Sequence, residues 1–247
     1  MLKDFLQDTI LVNKLIYSEI KNGFKPEWYQ EFEIGAGGDI SSGIDLFAEK
    51  LFVKYLSKYG VIESEESGVI GSGDNTIIID PIDGSSNALS GFVYFGSSVA
   101  LIDKNGLLQV AVVANFANGD IFYKLLGEET KIANLEDTTS FIVEKNIKSP
   151  KIGLFEKAYS NYNIVKLLNE KGLKFRSPGA TALSLAYARR VNFVLFIGKI
   201  RLYDIVAGVA MCEGLNVLVE DDYLLVSQNK EIFQTIKKIL EENNEFK

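Results

Sequence analysis

The segment Thr76-Ile77-Ile78-Ile79-Asp80-Pro81-Ile82-Asp83-Gly84-Ser85-Ser86-Asn87 sets the strongest constraint on this 247-residue chain. Thr76 to Ile79 reads as a buried β-strand, because a short unbroken run of β-branched residues fits a pleated surface covered on both sides. The strand delivers two carboxylates, Asp80 and Asp83, three residues apart. Pro81 fixes its own φ and removes one donor. Gly84 permits a tight turn and close approach to a ligand. Ser85 and Ser86 add hydroxyls, and a helical turn starting there would present backbone N–H groups to an anion such as phosphate. A cation site and an anion site thus lie within eight residues. A surface turn would also accept Asp, Pro, Gly and Ser. It would not require paired carboxylates after a buried β-run.

Composition narrows the chemistry. The chain has no histidine and one cysteine. A Ser-His-Asp triad, a Cys-His pair, a histidine base and histidine-bound zinc are therefore impossible. Carboxylates, lysines, tyrosines and hydroxyls remain. Carboxylates suit hard, oxygen-loving cations such as Mg²⁺, Mn²⁺ or Ca²⁺. Asp and Glu number 33 against 26 Lys and Arg, a net charge of −7, which opposes general binding to a nucleic-acid backbone. Met1 to Leu15 lacks a signal-peptide core and no run approaches a membrane span. Cys212 cannot form an internal disulfide. Its expected place is a buried position in an apolar helix. These features predict a soluble cytoplasmic protein with no membrane partner.

Periodicity predicts helices on Phe5 to Ile20 and Ile44 to Tyr59, with a flexible loop, Gly35 to Asp39, between them. Successive strands follow at Thr76 to Asp80, Ser97 to Asp103, Leu107 to Ala114 and Asp120 to Leu125. Asn105-Gly106 and Asn118-Gly119 provide hairpin turns. The second half alternates: strand Lys151 to Phe155, helices Tyr162 to Glu170 and Thr181 to Arg189, then strand Asn192 to Ile197. Helix Asp204 to Glu213, strands Asn216 to Val219 and Tyr223 to Val226, and helix Lys230 to Glu242 complete it. A boundary near Lys145 to Pro150 predicts two subdomains, 1–147 and 148–247, with helices layered on sheets.

Further acids strengthen the metal reading. Glu65-Glu66 precedes the β-run, and Asp204 is embedded in Leu202-Tyr203-Asp204-Ile205-Val206. Alone, Glu65-Glu66 is an ordinary solvated pair, and Asp204 or Asp45 an ordinary helix cap. Together they could supply a multi-metal carboxylate site.

At this point the chain resembles the inositol monophosphatase family of Mg²⁺-dependent, lithium-sensitive phosphatases. Asp80-Pro81-Ile82-Asp83-Gly84-Ser85, Glu65-Glu66 and Asp204 carry the resemblance, which runs from Ile34 to the C-terminal helix. Ile34-Gly35-Ala36, Ile44-Asp45 and Ala48-Glu49 are similar to archaeal-type members that hydrolyse inositol monophosphate and fructose 1,6-bisphosphate. Gly179-Ala180-Thr181-Ala182-Leu183 is similar to the family's glycine-serine-alanine-alanine segment.

The resemblance implies an α+β fold, the layered α-β-α-β-α sandwich of the inositol monophosphatase/fructose bisphosphatase type. It implies a cytoplasmic homodimer acting on a small phosphorylated sugar or polyol with two or three Mg²⁺ ions, or Mn²⁺ in their place. Glu65, Asp80 and the carbonyl of Ile82 would hold a first ion. Asp80, Asp83 and Asp204 would hold a second, and Glu66 could reach a third. Ser85, where the family commonly has threonine, would position the attacking water with Asp45. Catalysis would thus fall to Asp45, Glu65 and Ser85. Gly84, Ser85, Ser86, Gly179 and Ala180 would meet the substrate.

Departures bear on the substrate. Inositol-selective members carry an acid seven residues before the final aspartate, where this chain has Ile197. Lys199 and Arg201 could instead face a second phosphate, a role that suits arginine, or could be surface residues. Gly37 replaces an acid frequent in archaeal-type loops, with Asp39 as the candidate to take over. Arg176 and Arg189-Arg190 are further basic candidates, the pair fitting a helix C-terminus. The alternatives are a non-catalytic regulatory or protein-binding member of the family and a 3′-phosphoadenosine nucleotide phosphatase. Ser85-Ser86 disfavours the latter, whose members usually have threonine-lysine after Asp-Gly.

Overall fold

The structure is a computed structural model that describes residues 1–243. The last four residues of the predicted second subdomain lie outside them. The chain opens with α1 (Leu2–Lys21), which buries Phe5, Thr9, Val12 and Ile16. β1 (Glu31–Ile34) and β2 (Ile40–Ser42) form a hairpin around the glycine-rich loop, and α2 (Gly43–Leu56) follows. Next come β3 (Val61–Ser64), β4 (Gly68–Ile70), β5 (Thr76–Asp83) and the short α3 (Ser85–Leu89). β6 (Gly96–Ile102), β7 (Leu108–Asn115), β8 (Asp120–Leu125), β9 (Lys131–Asn134) and β10 (Asp137–Val143) run as an antiparallel meander. They join β5, β3 and β4 in an eight-stranded sheet of order β10-β9-β8-β7-β6-β5-β3-β4.

The remaining chain alternates. β11 (Gly153–Glu156), α4 (Tyr162–Glu170), β12 (Phe175–Arg176), α5 (Thr181–Ala186) and β13 (Val194–Ile197) come first. α6 (Leu202–Met211), β14 (Asn216–Val219), β15 (Tyr223–Ser227) and α7 (Lys230–Glu242) complete it. The second sheet has the order β12-β11-β13-β15-β14, with β11 parallel to both of its neighbours.

These elements stack in five layers. α1 and α2 cover one face of the large sheet, burying Phe5, Val12, Ile44 and Phe52 against Ile77, Ile79 and Val112. The opposite face, with Ile78, Ala111, Val113 and Phe122, packs on Leu183 and Ala186 of α5 and Ala207 and Met211 of α6. The other side of α5 and α6 meets Leu154, Val194, Phe196 and Val226 of the second sheet. α4 and α7 close the far face over Phe155, Leu195 and Leu225. The apolar run of β5 follows directly. Ile77 and Ile79 enter one core and Ile78 the other, so every position must be apolar. This is the expected α-β-α-β-α sandwich.

Several elements differ from expectation. β5 continues through Asp83 rather than ending at Asp80. Its pairing with β6 shifts between Asp80, opposite Ser98, and Asp83, opposite Gly96. That irregularity accommodates Pro81, which has no N–H to give a ladder. The segment Thr181 to Arg189 is α-helical only to Ala186 and ends in a 3₁₀ turn, Ala188–Arg190. Strands β1 to β4, β9 and β10 are short or edge strands that hydrophobic alternation did not reveal. Cys212 is fully buried at the end of α6, and burial pushes its thiol up to about 12, which makes it a poor nucleophile.

α5 and α6 approach closely because α6 carries Gly208. A Cβ built there lies 2.6 Å from Leu185 Cβ and 3.2 Å from the Ala182 carbonyl oxygen. Gly208→Ala should therefore overpack the middle layer and destabilise the fold by about 1–3 kcal/mol, despite alanine's better helix propensity. Urea unfolding measures it. An unchanged or raised midpoint would show that the two helices can separate freely.

Candidate active site and metal centre

The acids singled out from sequence come from separate elements and meet where β5 ends. Glu65 and Glu66 occupy the turn after β3, and the Glu65 N–H donates to the Ile79 carbonyl at 3.1 Å, tying that turn to β5. Asp80 and Asp83 extend from β5 itself. Asp204 lies in the first turn of α6. Arg201, not Asp204, is the N-cap residue of α6, so capping does not account for this acid. One carboxylate oxygen from each of Glu65, Asp80 and Asp204 lies within 4.8 Å of the others, and all three residues are buried. Asp83 points toward α5, where its Oδ2 accepts the Leu183 N–H at 2.9 Å.

This arrangement holds more negative than positive charge. Asp80 is held well above the ordinary carboxylate range, first by burial and then by the negative charges of Glu65, Asp83 and Asp204. Burial likewise holds Asp83 well up, against the pull of the Leu183 N–H. Glu65 is raised by burial, with Arg201 opposing. Burial raises Glu66 to about 7, against the hydrogen bond it accepts from the Ser41 hydroxyl. Asp80 Oδ1 is buried and accepts no hydrogen bond among the described residues. A set of buried carboxylate oxygens with one orphaned acceptor and no histidine or thiolate fits a hard divalent cation.

Arg201 enters the same cluster. Its Nε and Nη2 donate to the two oxygens of Asp204 at 2.9 and 3.1 Å, and its Nη1 lies 2.8 Å from Glu65 and 2.7 Å from Asp39. Burial works against its charge, yet Asp204 and Glu65 outweigh this and hold the guanidinium above its ordinary value. Arg201 lines the cleft, but its donors are directed at carboxylates and not at a free phosphate position. Asp39 is largely exposed and holds Arg201 instead of joining the buried carboxylates. Lys199 is exposed and does not line the cleft.

The anion side is built from backbone. Gly84 takes a left-handed conformation, φ 88° and ψ 42°. A Cβ there would lie 3.1 Å from Ala180 Cβ and 3.2 Å from the carbonyl oxygens of Gly179 and Tyr94. Glycine is thus required twice over, by φ and by space. Asn87 Nδ2 donates to the carbonyls of Tyr94 and Pro178, both at 2.7 Å, and so locks α3 against the loop before α5. Gly84, Ser85, Ser86 and Gly179 consequently share one cleft of about 680 Å³ with Glu65, Asp80, Ile82, Asp83, Arg201 and Asp204. Ala180 is buried behind Gly84.

Asp45 sits behind the cleft wall as the N3 residue of a capping box. Its Oδ2 accepts the Ser42 N–H at 2.7 Å and the Ser42 hydroxyl at 2.6 Å. Its Oδ1 is buried without a hydrogen-bond partner among the described residues. Burial raises its pKa, while Ser42 and then Ser85 pull it down. Ser85 is therefore a neighbour of Asp45, although its hydroxyl donates to the Ile82 carbonyl at 3.0 Å.

Sequence reasoning missed Glu156. It ends β11, is 2% exposed, and accepts the Gly179 N–H at 2.8 Å and the Ser184 hydroxyl. The signal was present: an acid closes the apolar run Leu154-Phe155, as Asp80 closes the isoleucine run. Arg189 and Arg190 serve structure, bonding the Glu213 carbonyl and the Glu144 carboxylate.

The sequence profile of the inositol monophosphatase family matches residues 12–222. A bifunctional NADP phosphatase/NAD kinase of Methanococcus maripaludis is 29% identical over 237 residues, covering 83% of this chain and 42% of that protein. The chain thus spans less than half the length of this relative. A fructose-1,6-bisphosphatase/inositol-1-monophosphatase of Methanothermobacter thermautotrophicus is 28% identical over 211 residues, covering 77% of this chain and 74% of the relative. A solved structure of a Pyrococcus horikoshii protein, described as having similarities to inositol-1 monophosphatase, superposes with a TM-score of 0.78 at 22% identity. It covers 96% of this chain and 98% of its own.

The charge imbalance predicts a pH response of the metal-free protein. Asp80, Asp83, Glu65, Glu66 and Glu156 have raised folded pKa values, so the fold binds their protons more tightly than the unfolded chain does. That stabilisation is complete below about pH 4 and is lost as pH rises through the raised values. Exposed acids with lowered pKa, such as Asp103 and Asp137, titrate below this window. Protein treated with EDTA should therefore melt higher at about pH 5.5 than at about pH 7.5, and Mg²⁺ should raise the midpoint more at the higher pH. A midpoint indifferent to both pH and Mg²⁺ would rule out a charge-deficient site.

Proposed function

Since the chain belongs to the inositol monophosphatase family, we propose that it is a Mg²⁺-dependent phosphomonoester hydrolase of small phosphorylated sugars or polyols. The observation that carries this reading is the convergence of Glu65, Asp80 and Asp204 on one point beside the Gly84–Ser86 turn. Glu65, Asp80 and the Ile82 carbonyl would hold one ion, and Asp80, Asp83 and Asp204 a second. Glu66 could reach a third, and Mn²⁺ would serve in place of Mg²⁺. Bound ions supply positive charge against the phosphate dianion and the departing alkoxide, which is why a chain without histidine can work here.

The protein's own groups position the reactants. The amides that begin α3, at Ser85 and Ser86, have no preceding turn to bond and are free to meet phosphate oxygens. Gly84 and Gly179 leave room for that approach. Ser85, backed by Asp45, orients the attacking water, and Glu156 fixes the Gly179 wall. The intact carboxylate set argues against a non-catalytic regulatory role. The natural substrate panel is inositol 1-phosphate, fructose 1,6-bisphosphate and NADP, the last a substrate of the Methanococcus relative. Ile197 is buried in β13 and offers no acid to inositol hydroxyls. The family resemblance adds a cytoplasmic homodimer to this proposal.

Phosphate release from that panel, with and without Mg²⁺ or Mn²⁺, tests the reading. Asp83→Asn keeps an acceptor for the Leu183 N–H but removes the ligand charge. It should lower kcat by about 100-fold or more, with a thermal midpoint no lower than wild type. Retention of most activity would remove Asp83 from the metal site. A panel blank at every metal concentration would favour the binding-module alternative.

A further inference from the structure

Among the described residues two cations line the cleft, Arg201 and Lys157. Arg201 is engaged by Asp39, Glu65 and Asp204. Lys157 makes no ion pair among the described residues. Its Nζ lies 5.1 Å from the centre of the Phe196 ring, at the cleft wall. Its backbone is left-handed, φ 56° and ψ 30°, a conformation uncommon for a residue with a Cβ and concentrated at functional sites. The neighbouring residues enforce it. Glu156 is anchored by Gly179 and Ser184, and Ala158 is buried with its N–H donating to Ser177 Oγ at 3.3 Å. The turn then carries Tyr159 to the cleft mouth, where the ring is 82% exposed. Three residues on, Tyr162 opens a groove that Lys166, Lys174 and Arg176 also border. These three cations make no ion pair among the described residues. An acidic protein thus presents cations without ion pairs both in its cleft and in the groove beside Tyr162.

A lysine and a tyrosine on a surface usually serve solubility alone. Here both line the cleft, on a strained turn held by a buried carboxylate that also shapes the phosphate wall. An aromatic face beside an unpaired ammonium is suited to a planar base carrying further phosphate. We propose that Lys157 and Tyr159 form a specificity edge selecting phosphomonoesters carried on a nucleotide, with Tyr159 stacking on the base and Lys157 pairing with a phosphate other than the one hydrolysed. This rests on the metal-dependent phosphatase reading above and replaces its sugar or polyol with a nucleotide as the preferred substrate. It moves recognition of a second phosphate from Arg201 to Lys157.

The test compares NADP, fructose 1,6-bisphosphate (a second phosphate but no base) and inositol 1-phosphate (neither). Lys157→Asn is used because asparagine tolerates the left-handed backbone. Wild type should favour NADP by about tenfold or more in kcat/KM. Tyr159→Ala should raise KM for NADP by about tenfold, and leave the other two substrates within about twofold. Lys157→Asn should weaken NADP and fructose 1,6-bisphosphate, not inositol 1-phosphate. Equal losses on all three substrates, or wild-type hydrolysis of the others without NADP, would overturn the edge. Failure of the phosphatase reading shows differently, as no phosphate from any substrate. In that case NADPH binding to Asp83→Asn, followed by the ligand's own fluorescence, decides. Binding weakened about tenfold by Tyr159→Ala upholds the edge, and no binding overturns it.

Discussion

Mutual repulsion among buried carboxylates is the constraint on which this structure turns. Two unit charges about 4 Å apart interact by roughly 4 kcal/mol at an effective dielectric near 20. That is a large share of the stability of an ordinary domain. Glu65, Asp80 and Asp204 bring oxygens within 4.8 Å of one another, and Asp83 adds its charge beside Asp80. The fold answers with a few directed groups: the Leu183 N–H on Asp83, Arg201 on Asp204 and Glu65, and Ser41 on Glu66. None of these gives Asp80 or Asp83 a cationic partner, and the raised pKa values register the remainder.

The five layers are what bring such a set together. β5 supplies two acids from the edge of one core, and the turn after β3 supplies two more because it is bonded to β5. Asp204 must arrive from the other side, on α6, which packs between the sheets. α5 brings Leu183 and the Gly179 loop by the same route. Both helices are apolar on two faces, and Gly208 lets them approach closely. A substitution in that middle layer, remote from any carboxylate, would therefore displace Asp204 relative to Asp80. Packing density and site geometry are one property here.

Legibility in the sequence followed from how locally each feature is determined. The isoleucine run, Asp80, Asp83 and the glycine-serine turn occupy one stretch and could be read directly. Asp204 was visible as an acid among apolar residues. Helices Tyr162–Glu170 and Lys230–Glu242 were legible to the residue, because strong amphipathic periods end in clear polar stretches. The missed strands are three or four residues long, too short for a period to register, except β10, which lies at the sheet edge; β1 is exposed throughout. The continuation of β5 past Pro81 depends on a shift in pairing with β6, which no local signal encodes. Arg201 and Asp204 stand three apart at a helix start, where an ion pair is a local expectation. The sequence reading weighed Arg201 for a ligand without that competitor. Glu156 escaped because its partners, Gly179 and Ser184, lie more than twenty residues away.

The absence of histidine acquires a physical meaning in this setting. An imidazole near this many carboxylates would be held protonated, since neighbouring negative charge favours the charged form. It would then be a poor base and would act as a fixed counter-ion, competing with a metal for the same oxygens. Arg201 already fills part of that role, and as a guanidinium it cannot lose its proton at any relevant pH. A site designed around carboxylates is thus best served by groups that either stay charged or stay neutral: one arginine, serine hydroxyls and backbone amides. The surplus of acids in the composition says little by itself. Its consequence lies in Asp45, Glu65, Asp80, Asp83 and Asp204, which are buried where water screens them little and where hydrogen bonds leave Asp80 without a counter-charge.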